Sequence, residues 1–266
     1  MSFHSWLNTE VHFFLPVSKL LVATGGDEVL VIDLDNDSNS CTLPDFPTGL
    51  GAAVGGFTGI GPLICSGYHS GDSYGDCYGL QPNGEFAQMN ELTMKKPRSS
   101  ASGIVTGDGQ LIISGGWNPG FYANEHSDSE IVNVHDSIIE NGFVLPKSLR
   151  EHCSVRINDT TAMILGGYNG EFWAGDLSAQ TSTYFVDLDT LQVTNGPDMT
   201  TARVSFGCAV FEHKQKKYVI AAGLMSGAYC EDRCENSPDE VLDLETLNWS
   251  SSIGNLICLL KDLESS

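Results

Sequence analysis

Three kinds of side chain in this sequence are of types that could do chemistry. The first are the carboxylate pairs Asp33-Leu-Asp35 and Asp187-Leu-Asp189. Two carboxylates this close can hold a cation or share acid–base work. Both pairs, however, close a short apolar run of one kind, Val29-Leu-Val-Ile-Asp33 and Tyr184-Phe-Val-Asp187. An acid in that place is expected to accept hydrogen bonds from the turn that follows. The second are histidines at 4, 12, 69, 126, 135, 152 and 213, whose spacing builds no ligand set. The third are eight cysteines, with no repeated Cys-x-x-Cys pair to hold zinc. No nucleophile elbow of the Gly-x-Ser-x-Gly kind is expected. No glycine loop ends in the Gly-Lys-Ser/Thr of a phosphate cradle. The sequence therefore assigns no catalytic residue, no cofactor and no metal ligand.

The elements that position these residues read as short strands. Glycine is abundant at 29 and charged residues are few at 18%, a balance that suits many strands joined by tight turns. One pattern recurs, an apolar run ending in a small residue and glycine. It is seen as Leu20-Leu-Val-Ala-Thr-Gly-Gly26, Leu63-Ile-Cys-Ser-Gly67, Leu111-Ile-Ile-Ser-Gly-Gly116, Ala162-Met-Ile-Leu-Gly-Gly167 and Tyr218-Val-Ile-Ala-Ala-Gly223. The spacings between copies are 41, 49, 51 and 56 residues. Each copy leads into a variable segment and a second apolar run, as in Glu130-Ile-Val-Asn-Val-His-Asp136 and Glu240-Val-Leu-Asp243. A short run ending near Pro or Met follows, as in Leu43-Pro-Asp-Phe-Pro47, Val144-Leu-Pro146 and Gly196-Pro-Asp-Met199. Arg98, Arg150 and Arg203 each stand 16 to 19 residues before a small-Gly pair. A multi-stranded unit repeating at this period is the signature of a propeller.

As a set these features resemble the kelch repeat, a four-stranded blade of a β-propeller, over about residues 20–250. The family's outer-strand Trp survives only as Trp249, with Phe86 and Phe143 as stand-ins. The resemblance implies an all-β fold of about five kelch-type blades, or six if the chain is part of a longer one, in a single domain over 1–266. The first unit, 20–47, lacks an innermost strand; either Val11-His-Phe-Phe-Leu15 or the atypical tail 253–266 is expected to supply it. Gly25, Gly26, Gly115, Gly116, Gly166, Gly167 and Gly223 are expected to serve packing and tight strand exits.

Cys65 and Cys77 fall on strands that should be antiparallel neighbours, and Cys230 and Cys234 flank Glu-Asp-Arg in one long loop. A disulfide within each pair and a set of eight reduced cysteines are both open readings. Cys41, Cys153, Cys208 and Cys258 have no assignable partner; Cys153 and Cys208 occupy equivalent first-strand positions and are expected to be buried. Sequons stand at Asn36, Asn158 and Asn248. With no export signal in the sequence as given and this many cysteines, both a cytoplasmic and a secreted location stay open.

In a four-stranded blade, the loop after the second strand and the linker into the next blade emerge at one end. The first class holds Tyr68, His69, Trp117, Phe121, Tyr122, Tyr168, Phe172, Trp173 and Tyr229. The second holds Arg98, Arg150 and Arg203, with Lys95, Lys96 and Lys147 nearby. Aromatics and arginine are the common anchors of interfaces, so this end is the expected partner-binding face. The competing reading has the aromatics covering glycine-rich backbone and the arginines pairing with neighbouring blades. A formal charge of −21 argues against nucleic acid and bare membrane as partners. The resemblance implies a non-enzymatic module that presents loops to a protein partner, as an adaptor or scaffold. Its alternatives are a copper radical oxidase-like propeller enzyme and an extracellular propeller that binds glycan.

Overall fold

The computed structural model describes residues 11–15, 19–23, 27–36, 40–118, 124–170, 178–225 and 239–251. These residues form strands and turns, with no helix among them. Sheet one is β1 (Val11–Leu15), β2 (Lys19–Ala23), β3 (Val29–Asp33) and β4 (Cys41–Leu43). Sheet two is β5 (Val54–Thr58), β6 (Gly61–His69), β7 (Asp72–Leu80) and β8 (Phe86–Thr93). Sheet three begins with β9 (Ser102–Val105) and β10 (Leu111–Ser114). A small ribbon of β11 (Trp117–Asn118) and β12 (Asn124–Glu125) follows, and the sheet resumes with β13 (Asp128–Asn133) and β14 (Ile138–Val144). Sheet four repeats that plan with β15 (Cys153–Arg156), β16 (Thr161–Leu165), a ribbon of β17 (Tyr168–Asn169) and β18 (Ser178–Ala179), then β19 (Thr183–Asp187) and β20 (Val193–Asn195). Sheet five is β21 (Arg203–His213), β22 (Lys216–Met225), β23 (Glu240–Asp243) and β24 (Asn248–Ser251). All five are four-stranded antiparallel sheets in chain order.

The recurring apolar runs are the second strands, and their composition follows from burial on both faces. In β6, Leu63 and Cys65 enter one core while Ile64 enters another. The first core joins them to Val54, Cys77, Leu92 and Met94 of sheet two and its exit, and to Leu111, Ile113 and Val132 of sheet three. The second joins Ile64, Tyr78 and Phe86 to Leu21 and Val29 of sheet one and to Phe46 and Leu50 of the connection. Sheets one to three thus stack face to face inside one compact unit, residues 1–150. The other unit, residues 151–266, holds sheets four and five, packed through Met163, Leu165, Val219, Ala221 and Leu242.

The first strand of sheet one comes from Val11–Leu15, in register from Val11 opposite Ala23 to Leu15 opposite Lys19. The tail 253–266, the other expected source, lies outside the described residues, as do Gly25 and Gly26. Cys65 and Cys77 form a disulfide between directly opposed residues of β6 and β7. A second disulfide joins Cys153 of β15 to Cys208 of β21, across the two sheets of the second unit. It links residues that sequence spacing left without partners. Cys230 and Cys234 lie outside the described residues, and Cys41 is an exposed free thiol.

Candidate functional site

Strand direction decides which residues share an end of each sheet. The second strand of each sheet runs toward its small-Gly pair, and the linker from the preceding sheet arrives at the same end. The backbone joins them there. Tyr68 exchanges two hydrogen bonds with Gly51, at 2.7 and 2.9 Å, and Trp117 does the same with Ser99, at 3.0 and 2.8 Å. Beyond this bridge the described residues stay paired. Tyr68 and His69 pair with Ser73 and Asp72 as a continuation of β6 and β7. Trp117–Asn118 and Tyr168–Asn169 form the β11–β12 and β17–β18 ribbons. Tyr68, His69, Trp117 and Tyr168 therefore stand on paired backbone.

The close backbone approach sets the glycines. Gly116 has φ +84°, and a Cβ there would stand 2.7 Å from the Ser99 carbonyl oxygen. Gly166 has φ +59°, with the Arg203 carbonyl oxygen 2.6 Å from its notional Cβ. Just beyond each linker a non-glycine residue is also left-handed: Ala52, Ser100, Glu151 and Ser205, with φ of 50 to 53°. Ser100 N–H donates to Ala52 O at 3.0 Å in the first unit, and Ser205 N–H to Glu151 O at 2.9 Å in the second.

This repeat corrects the expected arginine positions. Arg98 and Arg203 are equivalent, each two residues before the left-handed serine and each accepting a glycine N–H on its carbonyl, from Gly67 and Gly167. Both side chains are 0% exposed. The Arg98 guanidinium bonds Glu130 Oε1, Gly115 O and Asp128 O, all at 2.9 Å. Arg203 bonds Gly223 O at 2.9 Å and Glu240 Oε1 at 3.3 Å. The two glutamates also accept backbone N–H groups, from Lys95 and Lys96 for Glu130 and from Thr200 and Thr201 for Glu240. These arginines tie each linker into the sheet it enters and are not surface anchors. Desolvating a charge is costly, and the pairing keeps it satisfied.

Arg150 is not their counterpart. The residue whose carbonyl accepts from Gly116 is Leu149, and Arg150 stands where Ser99 stands one step earlier. A shift of one residue in extended chain turns the side chain to the other face. Ser99 Oγ meets Ser73 Oγ at 3.3 Å. Arg150 meets the residue equivalent to Ser73, Glu125, at 3.7 Å, and its guanidinium lies 4.6 Å from the Trp117 ring centre. Ser148 Oγ donates to Glu125 Oε2 at 3.1 Å. Glu125 was not legible as a site residue, because its place opposite Trp117 depends on the two-residue pairing of β11 with β12, which no repeated run in the sequence marks. Arg150 is only 3% exposed, so it orients Trp117 and does not itself offer a free charge. The expected basic rim is thus absent at all three arginines.

Deeper in the same end, Asp128 receives Lys96 Nζ and lies 3.5 Å from Arg98 Nη2 and 3.7 Å from His126 Nδ1. Burial alone would raise the Asp128 pKa, but the Lys96 hydrogen bond and the Arg98 and Lys96 charges hold it below the usual carboxylate range. Burial, and then the Arg98 charge, push the His126 pKa down. The paired acids of the opening pattern are turn acids: Asp33 Oδ1 accepts from Asp35 N and Asn36 N, and Asp187 Oδ1 from Asp189 N and Thr190 N.

Tyr68, His69, Trp117 and Tyr168 are half-buried. His69 Nδ1 contacts Gly49 O at 2.8 Å, and its ring meets Tyr74 edge-on at 6.0 Å. Tyr74 is 41% exposed and belongs to the same end, a residue missed because it lies on the returning strand of the hairpin. The letters Gly-x-Ser-x-Gly do occur at Gly71–Gly75. Ser73 there sits within β7 opposite Tyr68 and no helix follows, so it is not a strand-to-helix elbow. Phe121, Tyr122, Phe172, Trp173 and Tyr229 lie outside the described residues.

No family model matches the chain, and no curated protein matches its sequence. Among solved structures 406 chains match. One of them, the structure of YjhT, a propeller protein, aligns with a TM-score of 0.68 at 10% identity, covering 82% of this chain and 73% of that one. The fold is a β-propeller. A likeness at that identity carries architecture and no activity. The five sheets are its blades, and the residues gathered above stand at the small-Gly end of the blades that carry them.

Proposed function

We propose that this chain is a kelch-type propeller that acts as a non-enzymatic binding module, taking a protein partner at the small-Gly end of its blades. The observation that carries this reading is the display of Trp117, Tyr74, Tyr68 and His69 on bridged and paired backbone, with Trp117 held against Arg150. Aromatic side chains held in place lose little freedom on binding, which is the property of an interface anchor. The kelch assignment draws on the small-Gly pairs and on the linker arginines Arg98 and Arg203, each with its glutamate. Among the described residues no observation favours a copper site: four cysteines are in disulfides and no three His, Cys, Asp or Glu side chains gather as ligands.

The test is quantitative capture from the source tissue by the wild-type chain and by a Trp117→Ala/Tyr74→Ala double variant, with Ile138→Ala at the outer strand as control. Partners retained by wild type and control should be lost from the double variant, whose melting temperature stays within a few degrees of wild type. Equal capture by all three would end the reading.

A further inference from the structure

The three sequons occupy one kind of place. In each blade the small-Gly end carries the linker and the second-to-third-strand connection, so the first-to-second and third-to-fourth turns lie at the opposite end. Asn36 is in the β3–β4 turn, Asn158 in the β15–β16 turn, and Asn248 opens β24 directly after the β23–β24 turn. All three are exposed. They differ in what their side chains do. Asn248 Nδ2 donates to Thr246 O at 3.2 Å, and Asn36 is engaged as well. Asn158 uses only its carbonyl: Oδ1 accepts from Thr160 N at 2.9 Å and from Thr160 Oγ1 at 3.2 Å. Its amide nitrogen has no hydrogen-bond partner among the described residues. The turn around it is open to water, with the Asp159 side chain 90% exposed.

A second observation points to the same chemistry. Cys65–Cys77 and Cys153–Cys208 are disulfides, and such bonds form and persist in oxidising compartments, where Asn-x-Ser/Thr is also the acceptor of N-linked oligosaccharide. The Cys153–Cys208 bond begins three residues before Arg156, in the strand that leads into the Asn158 turn. We propose that Asn158 is an N-glycosylation site, modified in the compartment that forms these disulfides. The transfer joins Asn158 Nδ2 to the anomeric carbon of an oligosaccharide supplied as its lipid pyrophosphate. The anomeric C–O bond breaks, the lipid pyrophosphate leaves, and the amide nitrogen gives up one proton. A glycan there projects from the end of the blade opposite Tyr168, so it leaves the small-Gly end of that blade uncovered. The proposal does not depend on the binding reading.

The test uses the protein isolated from its source. After digestion with an amidase that cleaves N-glycans, in heavy-oxygen water, peptide mapping should find residue 158 converted to a labelled Asp and the intact mass lowered by one glycan. Recombinant Asn158→Gln and Thr160→Ala chains from a eukaryotic secretory host should lack that glycan. An unmodified Asn158 in the native protein, or glycan only on Asn36 or Asn248, would overturn the proposal. Free thiols at Cys153 and Cys208 in the native protein would overturn the compartment on which it rests.

Discussion

At the residue scale, two arginines that look alike in sequence do different work. Arg98 lies inside with Glu130, which is 2% exposed, and removing the arginine strands a buried carboxylate. Arg98→Ala is therefore expected to cost about 3–5 kcal/mol. Arg150→Ala loses a stack on Trp117 and a longer ion pair, and is expected to cost about 1–2 kcal/mol. Urea unfolding of both variants checks the ranking; equal losses would contradict the one-residue offset. Acid titration belongs to this scale too. The His126 pKa is depressed below the ordinary histidine value of 6.5, so above pH 6.5 the folded and unfolded states are alike at this group. Below 6.5 the unfolded chain takes the proton first, and stability falls as pH drops toward the folded pKa. Asp33, Asp128, Asp187 and Asp243 are depressed below 3.8, so what they contribute is present above that pH and lost as pH falls through their folded values. Melting temperature should decline in two stages on acidification. His126→Gln should remove part of the first stage and leave the second.

At the element scale, the tight contacts are where backbone meets backbone. Gly61 has φ +105° with nothing near a notional Cβ, so Gly61→Ala should cost only the left-handed strain, about 1–2 kcal/mol. Gly116→Ala adds a collision with the Ser99 carbonyl and should cost more, since neither bridged strand can retreat without losing its hydrogen bonds. Thermal melts of the pair separate conformational strain from contact. The disulfides offer a second comparison. The Cys153–Cys208 bond spans 55 residues and the Cys65–Cys77 bond 12, so loop entropy assigns about 4 and about 3 kcal/mol. Paired Cys→Ser variants should follow that order. The sequence carried the second strands plainly, because burial on both faces writes an unbroken apolar run such as Leu111-Ile-Ile. It offered Cys65–Cys77 as a pair, with the reduced state left open, since both residues lie on adjacent strands of one hairpin. It did not carry Cys153–Cys208, because that bond depends on how two sheets stack. Nor did it carry the placement of Arg150, since counting 16 to 19 residues to a glycine pair leaves one residue of slack, and one residue changes the face.

At the scale of the whole molecule, the blade plan recurs five times, and where the small-Gly end is described it carries different residues from blade to blade. Gly51 and Tyr68 bridge in one blade, Ser99 and Trp117 in the next. The scaffold is constant and the displayed side chains vary, which is how a repeat fold acquires a binding surface without altering its core. The sequence placed Tyr68, His69, Trp117 and Tyr168 at that end but overstated its positive charge, since Arg98 and Arg203 are consumed by their glutamates. The most direct test is hydrogen exchange of the chain alone and with its captured partner. Amides at 67–75 and 115–118 should gain protection, while the 157–160 turn at the opposite end of its blade should not change. Protection confined to 157–160, with 67–75 and 115–118 unaltered, would contradict the placement of the binding end.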